Sequence, residues 1–373
     1  MWAFVLLSVL NVLDAQAEKP ALSLDPATYS PSRTVIVLSQ NTQVFAADKP
    51  IGVIPPGAVL HFSKVHEKWL MVPRFGGWVF ADDVVPVENA VKHYSSIVEK
   101  EPTATVFLHR GIAQLQLDQL ELAQTDFEEA IRRGTKDGAV YINLATVLQR
   151  RGLAQEAMVN YSKGIELSPD MALPYIERSS VLMEMKQYPE AAADLEKAIT
   201  LEPNSPEAFN NRGVLRRLQS QYQEAITDYT KAIELFAKYP SAHANRGFAL
   251  RQLGRYEEAL ADFEKALVYD PVSAEIANDA AWLLVTCPDE KIRNAARATE
   301  LADRACKSTN RENGSYLDTL AAAHAASGKF EEAVKIGEEA LVRLKTDDQA
   351  LAVHARVELY RQKLPFVETL EKK

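Results

Sequence analysis

Small and apolar residues recur along the chain with a fixed 34-residue period. The period is clearest in a column of alanines: Ala123, Ala157, Ala191, Ala225 and Ala259. A large residue follows each alanine by four positions, a small one by seven and an aliphatic one by eight, as in Phe127, Ala130 and Ile131. These offsets lie on one face of an α-helix. A second stripe upstream, which includes Tyr141, predicts another helix in each period. The repeating unit is therefore predicted to be a pair of amphipathic helices joined by a short turn.

Short β-rich runs replace the helical pattern near the N-terminus. They cover residues 35–38, 52–54, 59–62, 69–72 and 77–80. Turn-forming residues separate the runs, for example at Pro55-Pro56-Gly57 and Gly76-Gly77. Five short strands within about 55 residues predict a small all-β barrel over 33–87.

The segment 1–17 is predicted to be a signal peptide. An apolar run from Ala3 to Val12 precedes Ala15-Gln16-Ala17, which fits a small-x-small cleavage site. The segment departs from the usual pattern because no positive charge lies between Met1 and Phe4. An uncleaved N-terminal anchor is the competing interpretation, although the run is short for a bilayer span. Residues 18–32, which are rich in proline, are predicted to be a flexible linker.

The helical repeats are predicted to fill residues 88–347. A half-repeat at 88–103 is followed by full repeats that begin at residues 104, 138, 172, 206, 240, 274 and 314. A longer, 39-residue step separates Ala259 from the next matching alanine, Ala298. The five extra residues are placed within 287–294, in the turn between two helices. A capping helix at 348–362 and a loose tail at 363–373 complete the chain.

The net charge and the absence of catalytic and metal-binding motifs limit the classes of function that the sequence predicts. A net charge of -9 argues against a broad nucleic-acid-binding surface. No metal-binding spacing, nucleophile motif or phosphate-binding loop is found, and the paired glutamates recur at exposed helix positions. The sequence therefore predicts a protein that is not an enzyme and has no cofactor or metal. Cys287 and Cys306 are predicted at opposite ends of a helix pair, roughly 15–20 Å apart, so buried free thiols are favoured over a disulfide.

The repeats resemble the tetratricopeptide repeat (TPR) family. The likeness rests on the alanine columns, on glycines at the helix turn such as Gly152, and on the Asn-Asn-Arg-Gly and Ala-Asn-Arg-Gly runs at 210–213 and 244–247. It implies a mainly α fold, a TPR α-solenoid in the form of a right-handed superhelix. The N-terminal strands resemble the bacterial SH3-like domain family through Ile51 to Ile54 and Lys68 to Val72, although the leading strand departs from that family.

The TPR resemblance implies a concave groove lined by the first helix of each pair, in which a protein or peptide ligand binds. Its residues transfer to these positions: Asn143, Asn211, Asn245, Arg217, Arg251, Phe248, Asn278 and Trp282. The early part of the groove is expected to be aliphatic and the later part to combine aromatic residues with arginine, which suits a peptide with apolar anchors and a carboxylate. Alternatively, Trp282 packs between neighbouring repeats and both arginines are solvated.

Two further patterns concern basic residues. A carboxylate clamp needs lysine at a position where this chain has Leu108, Ile142 and Ile176, so that interpretation fails. A separate column is predicted to be structural, each stem packed and each guanidinium reaching a carboxylate: Arg110, Arg178, Arg212 and Arg246.

The favoured function is a non-enzymatic protein-interaction scaffold or adaptor, exported to the periplasm or cell envelope of a bacterium. No nucleic-acid partner and no membrane span other than the possible N-terminal anchor are expected. The first alternative is a cell-wall-associated structural protein whose SH3-like domain binds peptidoglycan or peptides. The second is a regulatory subunit of a separately encoded enzyme.

Overall fold

The computed structural model describes residues 34–39, 41–46, 49–72, 75–344 and 346–368. The predicted signal peptide and linker lie outside these residues. The chain divides into two compact units, one that ends at Leu201 and one that begins at Glu202. No helix in the described ranges is both long enough and apolar enough to cross a membrane.

The N-terminal β region contains eight short strands. They are β1 (Thr34–Val37), β2 (Thr42–Ala46), β3 (Lys49–Ile54), β4 (Val59–His61), β5 (Lys64–His66), β6 (Trp69–Val72), β7 (Gly77–Phe80) and β8 (Val84–Pro86). One sheet has the order β4-β1-β8, the other the order β3-β2-β7-β6-β5, and neighbouring strands are antiparallel. Residues such as Val35, Leu70 and Val79 form the core of this region. The arrangement is compatible with an SH3-like domain.

All five predicted strands are present, and the sequence analysis missed β2, β5 and β8. The side chains of β5 are all exposed, so it has no apolar alternation to detect. β8 is fully buried, but it has three residues and continues almost directly into a helix. These strands form because their backbone groups hydrogen-bond to a neighbouring strand. Strands this short carry little sequence signal for such pairing.

The rest of the described chain is helical. The helices are α1 (Val87–Val98), α2 (Ala104–Gln116), α3 (Leu120–Arg132), α4 (Gly138–Arg150), α5 (Ala154–Leu167), α6 (Ala172–Glu184), α7 (Tyr188–Leu201), α8 (Pro206–Leu218), α9 (Tyr222–Leu235), α10 (Pro240–Gln252), α11 (Tyr256–Tyr269), α12 (Ala274–Thr286), α13 (Ala295–Ser308), α14 (Gly314–Ala326), α15 (Phe330–Arg343) and α16 (Asp347–Arg361). Within each unit every helix packs against the next one. The predicted mainly α repeat fold with a small N-terminal β region is confirmed.

The helix pairs close on the small residues of the repeat. Every alanine of the 34-residue column is completely buried. In the pair α8–α9, a Cβ atom at Gly213 would lie 2.5 Å from Cε1 of Tyr229. The same relation joins Gly111 to Phe127 in the pair α2–α3, where the distance would be 2.6 Å. The small residue is therefore required because an aromatic ring of the partner helix occupies the space of a side chain.

The extra residues of the 39-residue step form a longer connection between α12 and α13, as predicted. Eight residues, 287–294, separate these helices, whereas three separate α10 from α11. The Asn294 backbone N–H donates to the Leu284 carbonyl at 2.8 Å, and the Asn294 side chain caps α13. Cys287 and Cys306 are both buried, as predicted, and both are free.

The predicted structural role of the arginine column is confirmed. Each of the four arginines makes a bidentate ion pair with an aspartate 16 positions later, on the second helix of the same pair. The pairs are Arg110–Asp126, Arg178–Asp194, Arg212–Asp228 and Arg246–Asp262, with N···O distances of 2.7–3.0 Å. Burial alone would raise the pKa of Asp262, but Arg246 and His243 lower it below its ordinary value.

Three of these arginines also reach the preceding helix. Arg178 donates to Ser162 Oγ at 3.0 Å, and Arg246 donates to Thr230 Oγ1 at 3.0 Å. Arg110 approaches Ser95 Oγ at 3.4 Å. Each of these guanidinium groups therefore bonds the second helix of its own pair and that of the preceding pair, which fixes the packing of successive repeats.

Within the unbroken 34-residue series, one helix pair replaces both members of the ion pair together. In α4–α5 the arginine position holds Leu144 and the aspartate position holds Asn160. Leu144 is buried among apolar residues. This substitution avoids the cost of a buried charge without a partner.

Removal of one member of an Arg–Asp ion pair is therefore expected to lower the free energy of unfolding more than replacement of both members. Arg178→Ala leaves the Asp194 side chain, which is 8% exposed, without its cation, and should lower the free energy of unfolding by about 3 kcal/mol. The double variant Arg178→Leu plus Asp194→Asn copies the α4–α5 solution and should stay within about 1 kcal/mol of the wild type. Urea unfolding followed by circular dichroism measures both. A double variant as unstable as the single one would contradict this explanation.

The β region and the first helices share one apolar core. Ile36, Val85 and Val87 lie in the same cluster as Tyr94 of α1 and Phe107 of α2. Within this first unit, α1 packs against both β1 and α2. The β region is thus joined to the helices by buried contacts and not by a linker alone.

A glycine turn of the β region lies directly on α2. Gly57 has a φ of 81°, and a Cβ atom there would lie 2.3 Å from Cδ2 of His109. The His109 ring also contacts Tyr94, with ring centroids 5.4 Å apart. Burial lowers the pKa of His109 from 6.5 to about 4. The imidazole is therefore neutral in the folded protein at neutral pH.

The pKa of His109 predicts a loss of stability in mild acid. Between about pH 6.5 and pH 4 the unfolded chain binds a proton at His109 that the folded chain does not, so folding weakens as the pH falls through this window. Relative to His109→Gln, the wild type should lose about 2 kcal/mol between pH 7 and pH 4.5. Urea unfolding at each pH measures the difference. Parallel pH profiles of the two proteins would contradict it.

Candidate functional site

Four predicted groove residues form a continuous row in the second unit, which we call the Arg–aromatic row: Arg217, Phe248, Arg251 and Trp282. They lie on α8, α10 and α12, the first helices of three successive pairs, which pack side by side. The two arginines are one 34-residue period apart, and so are the two aromatic residues. Equivalent positions of successive repeats therefore place the four side chains on the same face.

Phe248 lies between two guanidinium groups. The Cζ atom of Arg217 is 5.1 Å from the centre of its ring, and that of Arg251 is 5.2 Å away. Both distances fall in the range of cation–π attraction. The two arginines are partly exposed, and their Nε atoms are buried without a hydrogen-bond partner within the described chain. The row is therefore a positively charged surface with an aromatic centre.

The predicted asparagines do not all face this row. Within the second unit, Asn245 Nδ2 donates to Asn210 Oδ1 at 3.1 Å, and Asn210 Nδ2 approaches Asn211 Oδ1 at 3.3 Å. Asn143 belongs to the first unit, where it is buried and donates to the Ala139 carbonyl of its own helix at 2.8 Å. Because this amide is engaged, Asn143 is not presented to a ligand in the way that the sequence analysis expects.

An acidic side chain follows Asn278 on α12. Burial raises the pKa of Asp279 to about 6, while Arg251 and Arg217 act in the opposite direction. The Asn278 amide also lowers the pKa of this carboxyl group. At neutral pH the Asp279 carboxylate partly offsets the positive charge of the row. Sequence analysis missed this residue because nothing in the repeat pattern distinguishes it from other acidic positions.

The C-terminal tail is not loose over its described residues. Residues 364–368, which we call the tail segment, fold back onto α12. Trp282 Nε1 donates to Glu368 Oε1 at 2.7 Å, and the Glu368 backbone N–H donates to the Thr286 carbonyl at 2.8 Å. The rings of Trp282 and Phe366 lie 6.0 Å apart at an angle of 40°. Neither interpretation of Trp282 anticipated this contact, because Trp282 and Glu368 are 86 positions apart in the sequence.

An arginine outside the repeat columns completes this end of the row. Arg356 of α16 lies 5.3 Å from the ring centres of both Trp282 and Phe366. Its guanidinium is held by Asp318 of α14 through N···O distances of 3.0 and 2.7 Å. Burial raises the pKa of Asp318, an effect that Arg356 counteracts. The position of Arg356 could not be read from the 34-residue pattern because α16 has no partner helix.

The early part of the predicted groove has a different character. Ile142, Ile176 and Met183 are all buried. Ile142 packs against Gly164 of the partner helix, where a Cβ atom would come within 2.5 Å of its Cγ1. These aliphatic residues of the first unit therefore contribute to the core and not to an accessible surface.

No metal or redox chemistry is apparent in the described ranges. They contain no group of three His, Cys, Asp or Glu side chains placed to hold a metal ion. Burial raises the pKa of the Cys306 thiol to about 12, and that of Cys287 also lies above its ordinary value. Such thiols are poor nucleophiles at neutral pH.

Family models match three parts of the chain. A model described as tetratricopeptide repeat matches residues 204–270, and another with that description matches 314–346. A model described as TPR repeat matches residues 180–217. No curated protein matches the sequence.

Solved structures of helical-repeat proteins resemble this one at low sequence identity. A chain of the APC/C hetero-tetramer Cut9-Hcn1 has a TM-score of 0.58 at 20% identity, over 64% of this chain and 46% of that one. Yeast Tom70 has a TM-score of 0.51 at 18% identity, over 74% and 59%. A tetratricopeptide repeat protein of Parabacteroides merdae has a TM-score of 0.51 at 18% identity, over 72% and 99%. The chain thus covers about half the length of the first two proteins, and the likeness concerns the fold.

Stacked helix pairs of this kind present extended surfaces that bind other proteins. The 34-residue period, the buried alanine column and the helix pairs agree with the three family matches. The chain therefore contains tetratricopeptide repeats, which the family models match over residues 180–270 and 314–346.

Proposed function

We propose that this protein is an interaction scaffold that binds a peptide or protein segment on the Arg–aromatic row of its second unit. The observation that carries the proposal is the Phe248 ring held between Arg217 and Arg251. Aromatic and arginine side chains are the types that contribute most binding energy at protein interfaces. A row of such residues on adjacent inner helices suits an extended segment that crosses several repeats.

The charge of the row favours an acidic ligand. Arg217 and Arg251 carry guanidinium groups whose Nε atoms have no hydrogen-bond partner among the described residues. Arginine binds carboxylates through two parallel hydrogen bonds when both groups can approach in one plane. Because the Nε atoms are buried, a carboxylate-containing segment would pair with the terminal nitrogens of these guanidinium groups.

Replacement of two residues of the Arg–aromatic row should strongly weaken ligand binding. Peptides selected on the full-length chain from a displayed random library should bind the double variant Arg217→Ala plus Phe248→Ala at least about 30-fold more weakly, because an aromatic anchor and a charge are both removed. Isothermal titration calorimetry with the selected peptides measures the change.

The matched control removes a cation and an apolar side chain from an outer helix. Lys265 and Val268 are exposed on α11, and Val268 is 75% exposed. Lys265→Ala plus Val268→Ala should bind the same peptides as the wild type does. If the control pair weakened binding and the row variant did not, the ligand would bind on the outer surface and the proposal would fail.

We also propose that the protein is exported and works in the bacterial cell envelope. The support is the apolar run from Ala3 to Val12 and the small-x-small site at Ala15-Gln16-Ala17.

Peptidoglycan binding by the β region stays a prediction from its family resemblance. A test of it needs the full chain, because Ile36 and Val85 of the β region are buried in one core with α1 and α2.

Export predicts a defined N-terminus for the mature protein. Cleavage after Ala17 should leave Glu18 as the first residue, which intact-protein mass spectrometry of the protein isolated from its native cells would detect. Ala17→Arg should block processing because the cleavage site requires small residues. A protein that retains residues 1–17 in the membrane fraction would instead support the uncleaved anchor.

A further inference from the structure

The tail segment offers the Arg–aromatic row the two groups that an acidic ligand would bring. Phe366 supplies an aromatic ring and Glu368, two residues later, supplies a carboxylate. The ring contacts Trp282 and Arg356, and the carboxylate accepts a hydrogen bond from Trp282 Nε1. The chain therefore places its own aromatic-x-acidic sequence on the proposed binding surface.

A helix end and a chain reversal hold the tail segment in this position. Lys363 follows α16 with a φ of 59°, a conformation that commonly ends helices. The Leu364 N–H then donates to the Leu359 carbonyl at 2.9 Å, and the chain leaves the helix towards α12. The Glu368 N–H finally donates to the carbonyl of Thr286, the last residue of α12, whose carbonyl has no partner within its helix.

The contact with Arg251 is incomplete. Arg251 Nη1 lies 3.7 Å from Glu368 Oε1, beyond hydrogen-bond distance. The Glu368 side chain remains 33% exposed, and Leu364 is 48% exposed. A carboxylate that reached Arg251 fully would gain a charge-assisted hydrogen bond that the tail segment does not make.

The tail segment also covers only one end of the row. Among the described residues, its hydrogen bonds, ion pair and ring contacts outside α16 and its C-terminal turn involve Trp282, Arg251 and Thr286, and its contacts with α16 involve Leu359 and Arg356. Phe248 and Arg217, one and two repeats earlier, are not in that set. A longer ligand segment could occupy the end held by the tail segment and continue onto Phe248 and Arg217.

We propose that the tail segment is a built-in ligand of the Arg–aromatic row, and that the row binds partner segments in which an aromatic residue precedes an acidic residue by two positions. The tail segment and the partner compete for Trp282 and Arg251. A partner must therefore bind the row with enough affinity to displace the tail segment. This inference rests on the proposed function and names the chemistry of its ligand.

Competition of this kind follows from the covalent connection of the tail segment. A tethered ligand on a short connection acts at an effective concentration in the millimolar range. A ligand whose dissociation constant lies below this concentration then occupies its site for most of the time. The apparent affinity of a competitor falls in proportion to the fraction of sites that remain free. The weak contacts of the tail segment are therefore sufficient to reduce partner binding, and they still allow a partner to displace the tail segment.

The test uses full-length protein and a fluorescent peptide with the sequence of residues 362–368. Its C-terminus is amidated so that the glutamate equivalent to Glu368 carries the only carboxylate. In the variant Phe366→Ala plus Glu368→Gln the tail is released, and fluorescence anisotropy should report a dissociation constant about 10-fold lower than for the wild type. Glu368→Gln alone should give a smaller gain, about 3-fold, because the ring contact remains.

Two controls define the site and the ligand. Leu364→Ala changes an exposed residue of the tail segment and should bind the peptide as the wild type does. A peptide with alanine and glutamine in place of the phenylalanine and glutamate should not bind the released variant. Addition of Trp282→Phe to the released variant should weaken peptide binding about 10-fold, because the indole N–H that donates to the carboxylate is lost while an aromatic ring is kept.

Each contrary result overturns a separate part of the proposal. Equal peptide affinity of the wild type and the released variant would show that the tail segment does not occupy the row. A released variant that does not bind the peptide would refute the aromatic-x-acidic ligand. If library-selected peptides still required Phe248 and Arg217 in that case, the proposed function would stand and this inference alone would fall.

Discussion

The close approach of paired helices is the constraint on which the rest of this structure depends. The alanine column is completely buried, and glycines such as Gly111 and Gly213 face aromatic rings of the partner helix. A larger side chain at these positions would collide with a ring or with the backbone. Because small residues recur at this position, successive helix pairs within each unit pack in a similar way, and equivalent residues of neighbouring repeats come to lie beside one another.

Buried ion pairs add a second, more specific link between repeats. The Arg–Asp pairs join the two helices of one pair, and Arg178 and Arg246 also reach a hydroxyl of the preceding pair. A buried ion pair is weak evidence for added stability, since apolar residues can replace it at little cost. The α4–α5 pair illustrates this with Leu144 and Asn160. These ion pairs are better understood as fixing how one repeat packs on the next.

The regular stacking also builds the proposed binding surface. Residues one repeat period apart are brought into one row, so that Phe248 lies between Arg217 and Arg251. The end of the row at Trp282 differs because the chain returns to it after the last helix pair, α14–α15. Arg356 from the unpaired helix α16 and Glu368 of the tail segment both contact Trp282 there. The terminal elements thus protect the last helix pair and contribute to the proposed ligand competition.

The sequence by itself determined the architecture, because the alanine interval, the helical stripes and the 39-residue step are local patterns that repeat. It also placed Arg217, Phe248, Arg251 and Trp282 on one face, since their positions follow from the period. Only the tertiary structure decided that Ile142 and Ile176 are buried and that Asn143 bonds its own helix. It alone showed that Phe366 and Glu368 meet Trp282. Such contacts depend on the packing of neighbouring repeats and on a chain reversal after α16, and neither has a periodic signal in the sequence.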